Sequence, residues 1–464
     1  MEQLTALDSQ FLYTQTDDNF THITVLLNFD GPADETESEV DGAVLCVYLQ
    51  QKLQHHPIYR RRLMRLPAEL DYPYWVDDKD FNHEEHFAVY GLNDPGGWRQ
   101  LREAVSAIHS QPMDMTRPLW DVTLFTGVHC NGAHRNGFTI AMRLHHVAID
   151  GIGITKLMAY LTSPESPAEA LPTAAVLPWK TVAFNAASNR LRNSLKFSRS
   201  LYKSRSVISD ATKHYLQTKP SERKSVPVCR FNTSVKGEKI FDVTRVNFSE
   251  LNALRALHRG ATVNDVVLAI CAGALRRYLA HHAELPSQSL VAWVPVNARS
   301  TAGGNNTDSG NSISAFTAPI YTDIADPAAR LAKIHAATQR GKADKAGAGL
   351  VLDLTKCLPA TEQYLFSRAL NASSAAASAC NLFVSNVPGP AQPIKFAGHQ
   401  LESMFGLPPL GEGMGLFIAT PSYNGSLYFN VISTENILPD IEYFMTCIQA
   451  SFADYQEKLA SRQS

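Results

Sequence analysis

The chain lacks several things, and each absence narrows the reading. No run of about 18 uncharged apolar residues occurs, so no membrane-crossing helix is expected. The first residues, Met-Glu-Gln-Leu-Thr-Ala-Leu-Asp-Ser, lack the basic start and apolar run of a secretory signal. The seven Cys, at 46, 130, 229, 271, 357, 380 and 447, form no CxxC pair, are odd in number and lie far apart. That pattern reads as reduced, mostly buried thiols of a cytoplasmic protein. No internal repeat of solenoid length is found. Net charge is also scarce, at −2, which excludes a nucleic-acid binder working by bulk positive charge.

What is present is a chain of 464 residues, 45% apolar and 19% charged. That suffices for two or three domains with large cores and argues against global disorder. The small net charge conceals a split. Residues 180–230 hold twelve Lys or Arg and only two acids, Asp210 and Glu222, a formal +10 that leaves −12 for the remainder. The chain is an acidic body with one basic insert.

The first half alternates strand and helix signals. Ile23–Phe29, Leu119–Val128 and Phe138–His146 read as strands, and 44–53 and 98–108 as helices. Four prolines break residues 163–178, which read as a linker. The second half predicts helices at 249–259, 262–281, 327–340 and 440–459, and strands at 242–248, 290–296, 381–387 and 427–432. Residues 302–311 are Gly/Asn-rich and read as mobile. The expected organisation is α/β with two lobes, 1–162 and 235–464, joined by a Pro-rich linker and basic helical insert over 163–234.

In the insert, Phe184, Ala187, Leu191, Leu195 and Tyr202 recur near helical spacing, while Arg190, Arg192, Lys196, Arg199 and Lys203 fill other faces. Such a helix can lie on an anionic membrane surface. It can equally pack on the body with its basic face in water, or meet the phosphates of a coenzyme.

The sharpest local pattern is His145-His146-Val147-Ala148-Ile149-Asp150-Gly151, at the end of a strand. Histidine exchanges protons near neutral pH. Alternation points His145 and His146 to opposite faces, so the pair is poorly disposed as a two-His metal site, and no third ligand motif accompanies it. No metal is expected. Paired histidines alone are common on surfaces; the seven-residue pattern at a strand-to-helix turn is far more specific. Gly151 permits a tight turn into the next helix. Asp150 can orient a His or anchor the turn.

His145 to Gly151 resembles the HHxxxDG signature of the coenzyme A-dependent acyltransferase superfamily, which includes chloramphenicol acetyltransferases and peptide-synthetase condensation domains. Other segments narrow the resemblance to the bacterial wax ester synthase/diacylglycerol acyltransferases. They are Leu4 to Leu12, Pro118-Leu119-Trp120, Thr262 to Val267, Val294 to Arg299, and Ser385-Asn386-Val387-Pro388-Gly389-Pro390. These motifs stand in family order along almost the whole chain. Asn297-Ala298 replaces the usual Ser-Leu, and Gly415-Leu416-Phe417-Ile418 stands where the family often has an Ala-Leu-Asn-Ile type strand near the acyl tunnel.

The resemblance implies a chloramphenicol acetyltransferase-like fold with a substrate tunnel between two lobes. It implies acyl transfer from acyl-CoA to a long-chain alcohol or diacylglycerol, with no other cofactor and no nucleic acid. His146 would be the general base, taking the proton of the alcohol as its hydroxyl attacks the thioester directly, without an acyl-enzyme, and His145 would support it. Asp150 would pair with Arg299 as a structural anchor, and Gly151 completes the signature. Asn264 is placed at the catalytic site. Pro118, Leu119, Trp120, Asp265, Ser385 and Asn386 would lie at the substrate. Local readings stand beside these. Thr262-x-x-Asp265 is a capping-box pattern, so Asp265 can serve the helix start. Ser385 and Asn386 can serve a turn. The location implied is the cytoplasm, with peripheral contact to the inner membrane or lipid droplets. Rival readings are an acyltransferase with another alcohol or amine acceptor, and a non-catalytic lipid-surface protein.

Overall fold

The computed structural model describes residues 1–31, 41–129, 137–149, 151–162, 174–206, 208–209, 213, 217, 226–297, 313–343, 354–372 and 379–463. Its strands in chain order are β1 (Glu2–Gln3), β2 (His22–Phe29), β3 (Arg61–Met64), β4 (Tyr74–Asp77), β5 (Phe87–Gly91), β6 (Trp120–Val128), β7 (Gly137–His145) and β8 (Lys239–Asn247). They continue with β9 (Val291–Asn297), β10 (Ile313–Pro319), β11 (Leu382–Val387), β12 (Lys395–Phe396), β13 (His399–Leu407), β14 (Phe417–Tyr423) and β15 (Ser426–Thr434). The helices are α1 (Ala6–Thr14), α2 (Gly42–Leu53), α3 (Trp98–His109), α4 (Gly151–Thr162), α5 (Trp179–Lys203), α6 (Phe248–Ala253), α7 (Val263–His281), α8 (Pro327–Ala343), α9 (Ala360–Ala372) and α10 (Ile441–Gln463).

Two six-stranded sheets form the lobes. Their orders are β12-β13-β2-β7-β6-β5 and β10-β9-β11-β14-β15-β8. A small third sheet, β1-β4-β3, stands beside the first lobe. In the first sheet β2 and β7 run antiparallel, with His22 opposite His145 and Phe29 opposite Phe138. Every residue of β2 is buried, as expected of a central strand covered on both faces.

In the second lobe α7 is buried almost all round, and its sequence Val-Asn-Asp-Val-Val-Leu-Ala-Ile-Cys-Ala-Gly-Ala-Leu is apolar on nearly every face. It packs against α8 and α10. A side chain on Gly273 would collide with Ser451 of α10, so the close helix crossing requires glycine there.

The structure redraws one expected boundary. Lys395–Phe396 and His399–Leu407 fall within 235–464, yet they extend the first lobe's sheet. β13 pairs with β2 from Leu401 opposite Phe29 to Leu407 opposite Thr24. Residues 302–311 and 163–173 lie outside the described residues. Among the described residues of the insert, Trp179–Lys203 form a long helix, α5. No helix among the described residues is long and apolar enough to cross a membrane. The six described cysteines are all free; Cys130 lies outside them.

The lobes are joined by specific polar contacts as well as by a shared apolar core. Arg102 on α3 reaches Asp242 at 2.7 Å and Glu442 at 2.6 Å. The Trp98 indole donates to Asp242 at 2.9 Å. Buried Lys239 at the start of β8 donates to the Asp18 carbonyl at 2.9 Å.

Candidate functional site

The site is built where β7 ends. The His145 backbone N–H donates to the Leu119 carbonyl at 3.0 Å, and that of His146 to the Thr21 carbonyl at 3.0 Å. The strand end is therefore held from both sides before the chain turns. The two rings then meet different surroundings.

His145 is fully buried. Its Nδ1 accepts the Val147 N–H at 3.1 Å, so the proton resides on Nε2. Nε2 lies 3.0 Å from the Gln15 side-chain oxygen and 3.2 Å from the Thr21 hydroxyl. Burial, and then the neighbouring His22 and His146, lower its pKa to about 3. This imidazole is a neutral, pinned group at physiological pH. His22 stands opposite it and is likewise lowered to about 3, mainly by burial.

His146 is only half-buried. It lies flat on the Phe11 ring, with centroids 3.9 Å apart and planes 5° from parallel. Phe11 comes from α1, and Gln15 caps the end of that helix. The Thr5 hydroxyl accepts the Asp8 N–H at 3.1 Å and donates to the Asp8 carboxylate at 2.6 Å. This is a helix-start pair built from the Leu-Thr-Ala-Leu-Asp segment. The N-terminal helix and the residue that ends it thus supply a partner for each histidine, Phe11 for His146 and Gln15 for His145. Gln15 and Thr21 were missed from sequence; the Thr5-x-x-Asp8 capping pattern was the available signal for the helix that leads to them.

Pro118, Leu119 and Trp120 are all buried. Leu119 packs with Leu4, Leu12, Tyr13 and Val147 beneath the turn. Trp120 stacks on His86 at 4.6 Å and donates its indole N–H to the Tyr59 carbonyl at 3.0 Å. This motif braces the strand end that carries the histidines, and its side chains are committed to packing.

Asn264 is half-buried in the first turn of α7. Asp265 beside it is fully buried. One oxygen accepts the Thr262 N–H at 2.9 Å and the His335 ring N–H at 2.9 Å; the other accepts the Thr338 hydroxyl at 2.6 Å. Burial pushes this carboxyl upward, but the bonds from Thr338, His335 and Thr262 outweigh it and the net shift is down. The capping reading accounts for Asp265: its carboxylate ties α7 to α8 and has no free face for a substrate.

Ser385 and Asn386 are half-buried on β11, opposite Ala419 and Thr420. The Ser385 carbonyl accepts the Thr420 hydroxyl at 3.2 Å. Beyond them, a side chain on Gly389 would strike the Ser422 carbonyl oxygen, which explains the glycine between two prolines. Gly151 opens α4. Asp150 and Arg299, the expected anchor pair, lie outside the described residues.

An open cleft of about 770 Å³ is lined by Gln15, the residue that meets His145, together with Phe20 and Met113 of the first lobe and Gly237 and Glu238 of the second. Asp17, Asp18 and Glu238 make part of its rim acidic. Among the described residues no cluster of three or more His, Cys, Asp or Glu could hold a metal ion.

The site thus holds one pinned histidine, His145, and one half-buried histidine, His146; comparison with known proteins supplies the family. A family model described as the wax ester synthase/diacylglycerol acyltransferase catalytic domain matches residues 4–267, more than half of the chain. The chain belongs to this family. A second model, the WS/DGAT C-terminal domain, matches residues 309–456. Among relatives, a Mycobacterium tuberculosis protein assigned as a diacylglycerol O-acyltransferase is 29% identical over 451 residues, covering 95% of this chain and 87% of its own. The O-acyltransferase WSD of Acinetobacter baylyi is 24% identical, covering 100% of this chain and 99% of its own. A solved wax ester synthase/diacylglycerol acyltransferase from Marinobacter aquaeolei VT8 superposes with a TM-score of 0.69 at 26% identity, covering 99% of this chain and 100% of that one. The first condensation domain of the calcium-dependent antibiotic synthetase shares the two-lobed fold, with a TM-score of 0.58 at 14% identity and coverage of 99% and 96%. This WS/DGAT family member is an O-acyltransferase of that type with a mixed α/β, two-lobed fold.

Proposed function

We propose that the protein moves a fatty acyl group from acyl-CoA to the hydroxyl of a long-chain alcohol, of diacylglycerol, or of both. His146 acts as general base. The observation that carries this reading is the contrast between the two histidines: His145 is buried and held neutral, while His146 is half-buried and fixed in orientation by Phe11.

In the proposed step the neutral His146 ring takes the acceptor's hydroxyl proton as the oxygen attacks the thioester carbonyl. The tetrahedral oxyanion requires hydrogen-bond donors, and Asn264 is proposed as one of them. Collapse breaks the C–S bond. The departing CoA thiolate recovers the proton from His146, leaving an ester and free CoA. No acyl-enzyme forms, and acyl-CoA is consumed as a substrate without any further cofactor. Asp150 and Arg299 are proposed to anchor the turn without touching the substrate. Ser385 and Asn386 are proposed to face the acyl group from β11. The acidic part of the cleft rim favours entry of a neutral acceptor there over the polyanionic CoA.

The test is direct. Purified protein is mixed with palmitoyl-CoA and either hexadecanol or diolein, and free thiol and neutral lipid are followed. Ester should form with one or both acceptors. Thiol release with no ester from either acceptor would sink this reading. His146→Ala should abolish turnover at unchanged melting temperature; retained activity would remove the general-base role.

A further inference from the structure

Helix α5 is docked the opposite way from an ordinary amphipathic helix. Its buried contacts come from small and polar side chains. Val182 and Ala186 are its buried residues, and Val182 packs with Leu66 and Tyr74. Asn189 donates to Asp71 at 2.8 Å and to Gln3 at 3.2 Å, and Arg190 reaches Glu362 at 2.6 Å.

The large apolar side chains point the other way. Phe184, Leu191, Leu195 and Tyr202 are 74%, 65%, 51% and 66% exposed. Their spacings of seven, four and seven residues set all four within about 40° of arc on one line of the helix. The stripe runs about 27 Å along the surface. Arg192, Lys196, Arg199 and Lys203 flank it on one side by the same helical geometry. From residue 170 to residue 209 the chain contains no Asp or Glu. Beside α5, α9 exposes Leu365, Phe366 and Leu370. α9 packs on α1, the helix whose Phe11 and Gln15 meet the two histidines.

The geometry points to α5 as a lipid-docking face: the apolar stripe enters the headgroup boundary of an anionic bilayer, and the basic flank meets the lipid phosphates. Charge selects this occupant over a second copy of the chain. A two-fold pairing through α5 would set one acid-free basic flank against another. An anionic lipid surface complements both the apolar stripe and its flank. The inference concerns where the protein sits and stands apart from the identity of its substrates.

The experiment uses the full chain and sedimentable vesicles of phosphatidylcholine with phosphatidylglycerol, compared with phosphatidylcholine alone. One variant carries Phe184→Ser, Leu191→Ser, Leu195→Ser and Tyr202→Ser; the other carries Lys196→Gln, Arg199→Gln and Lys203→Gln. All these sites are exposed or flank the stripe, so melting temperatures should match the parent. The parent should bind anionic vesicles more tightly than neutral ones. The apolar variant should bind on the order of a hundredfold more weakly at low and high salt alike. The charge variant should lose on the order of a hundredfold on anionic vesicles at low salt only. Parent that binds neither vesicle, or an apolar variant that binds like the parent, would overturn the inference. So would a parent dimer that the apolar variant splits in sedimentation velocity, because a second copy would then own the stripe. Vesicle binding is read without turnover. Loss of ester synthesis with intact binding therefore counts against the proposed reaction and leaves the docking face standing.

Discussion

His146 and Phe11 lie in plane-parallel contact at 3.9 Å, and one of them belongs to a helix more than a hundred residues away in sequence. In the proposed reaction this ring takes a proton from one hydroxyl and returns it to one sulfur, which requires it to hold its orientation through both transfers. Phe11→Ala leaves room for the imidazole to tilt. Turnover should fall between about tenfold and a hundredfold, with little change in KM for acyl-CoA and a small change in melting temperature. Unchanged kcat in steady-state assays would deny Phe11 a positioning role. A second residue gives a pH effect. Glu402 shares a hydrogen bond with Asp30, and this bond, burial and the Asp30 charge raise its pKa from 4.5 to about 7. Between those values the folded protein holds a proton that the unfolded chain releases, so Glu402 lowers stability as pH rises through that window. Glu402→Gln removes the loss. Its melting temperature relative to the parent should be higher at pH 8 than at pH 5; a difference independent of pH would refute the assignment.

Among the elements, α7 shows how much one cap can hold. The Thr262–Asp265 box closes the first turn, and the same carboxylate receives His335 and Thr338 from α8. Removing only the Thr262 hydroxyl costs about 1 kcal/mol, the ordinary value for a helix cap. Asp265→Ala strands two further donors in the interior and should cost about 3 kcal/mol. The two variants can be compared by denaturant midpoint. Equal effects would reduce Asp265 to a simple cap. α5 shows the opposite situation. Its hydrophobic periodicity is plain in the sequence, but periodicity identifies an apolar face without saying which way that face turns. Only the contacts of Asn189, Arg190 and Val182 reveal that the stripe faces outward.

The molecule as a whole depends on the joint between its lobes. Arg102 binds Asp242 and Glu442 across it, and Trp98 donates to the same Asp242. Arg102→Met leaves a half-satisfied, largely buried carboxylate and should cost about 2 kcal/mol. Adding Asp242→Asn should restore part of that loss, since the uncompensated charge is then gone. Thermal unfolding of both variants checks this, and a double variant no more stable than Arg102→Met would place the cost elsewhere. The joint also includes a strand exchange: β13 leaves the second half of the chain to pair with β2 in the first lobe's sheet.

Much of this was legible in the sequence because it is local. Strand alternation located β7 to within a residue at each end, and Thr262-x-x-Asp265 marked the start of α7. His145-His146 with the motifs around it indicated the family and the two-lobed fold. The partners of those histidines were not legible as partners. Phe11, Gln15 and Thr21 acquire meaning only when α1 is laid against the end of β7. The crossing of β13 and the outward face of α5 were hidden for the same reason. A sequence pattern reflects the preferences of a segment for helix, strand or burial, and those preferences act over a few residues. Which segment covers another is decided by long-range packing, where the two surfaces must fit and every buried polar group must find its bond.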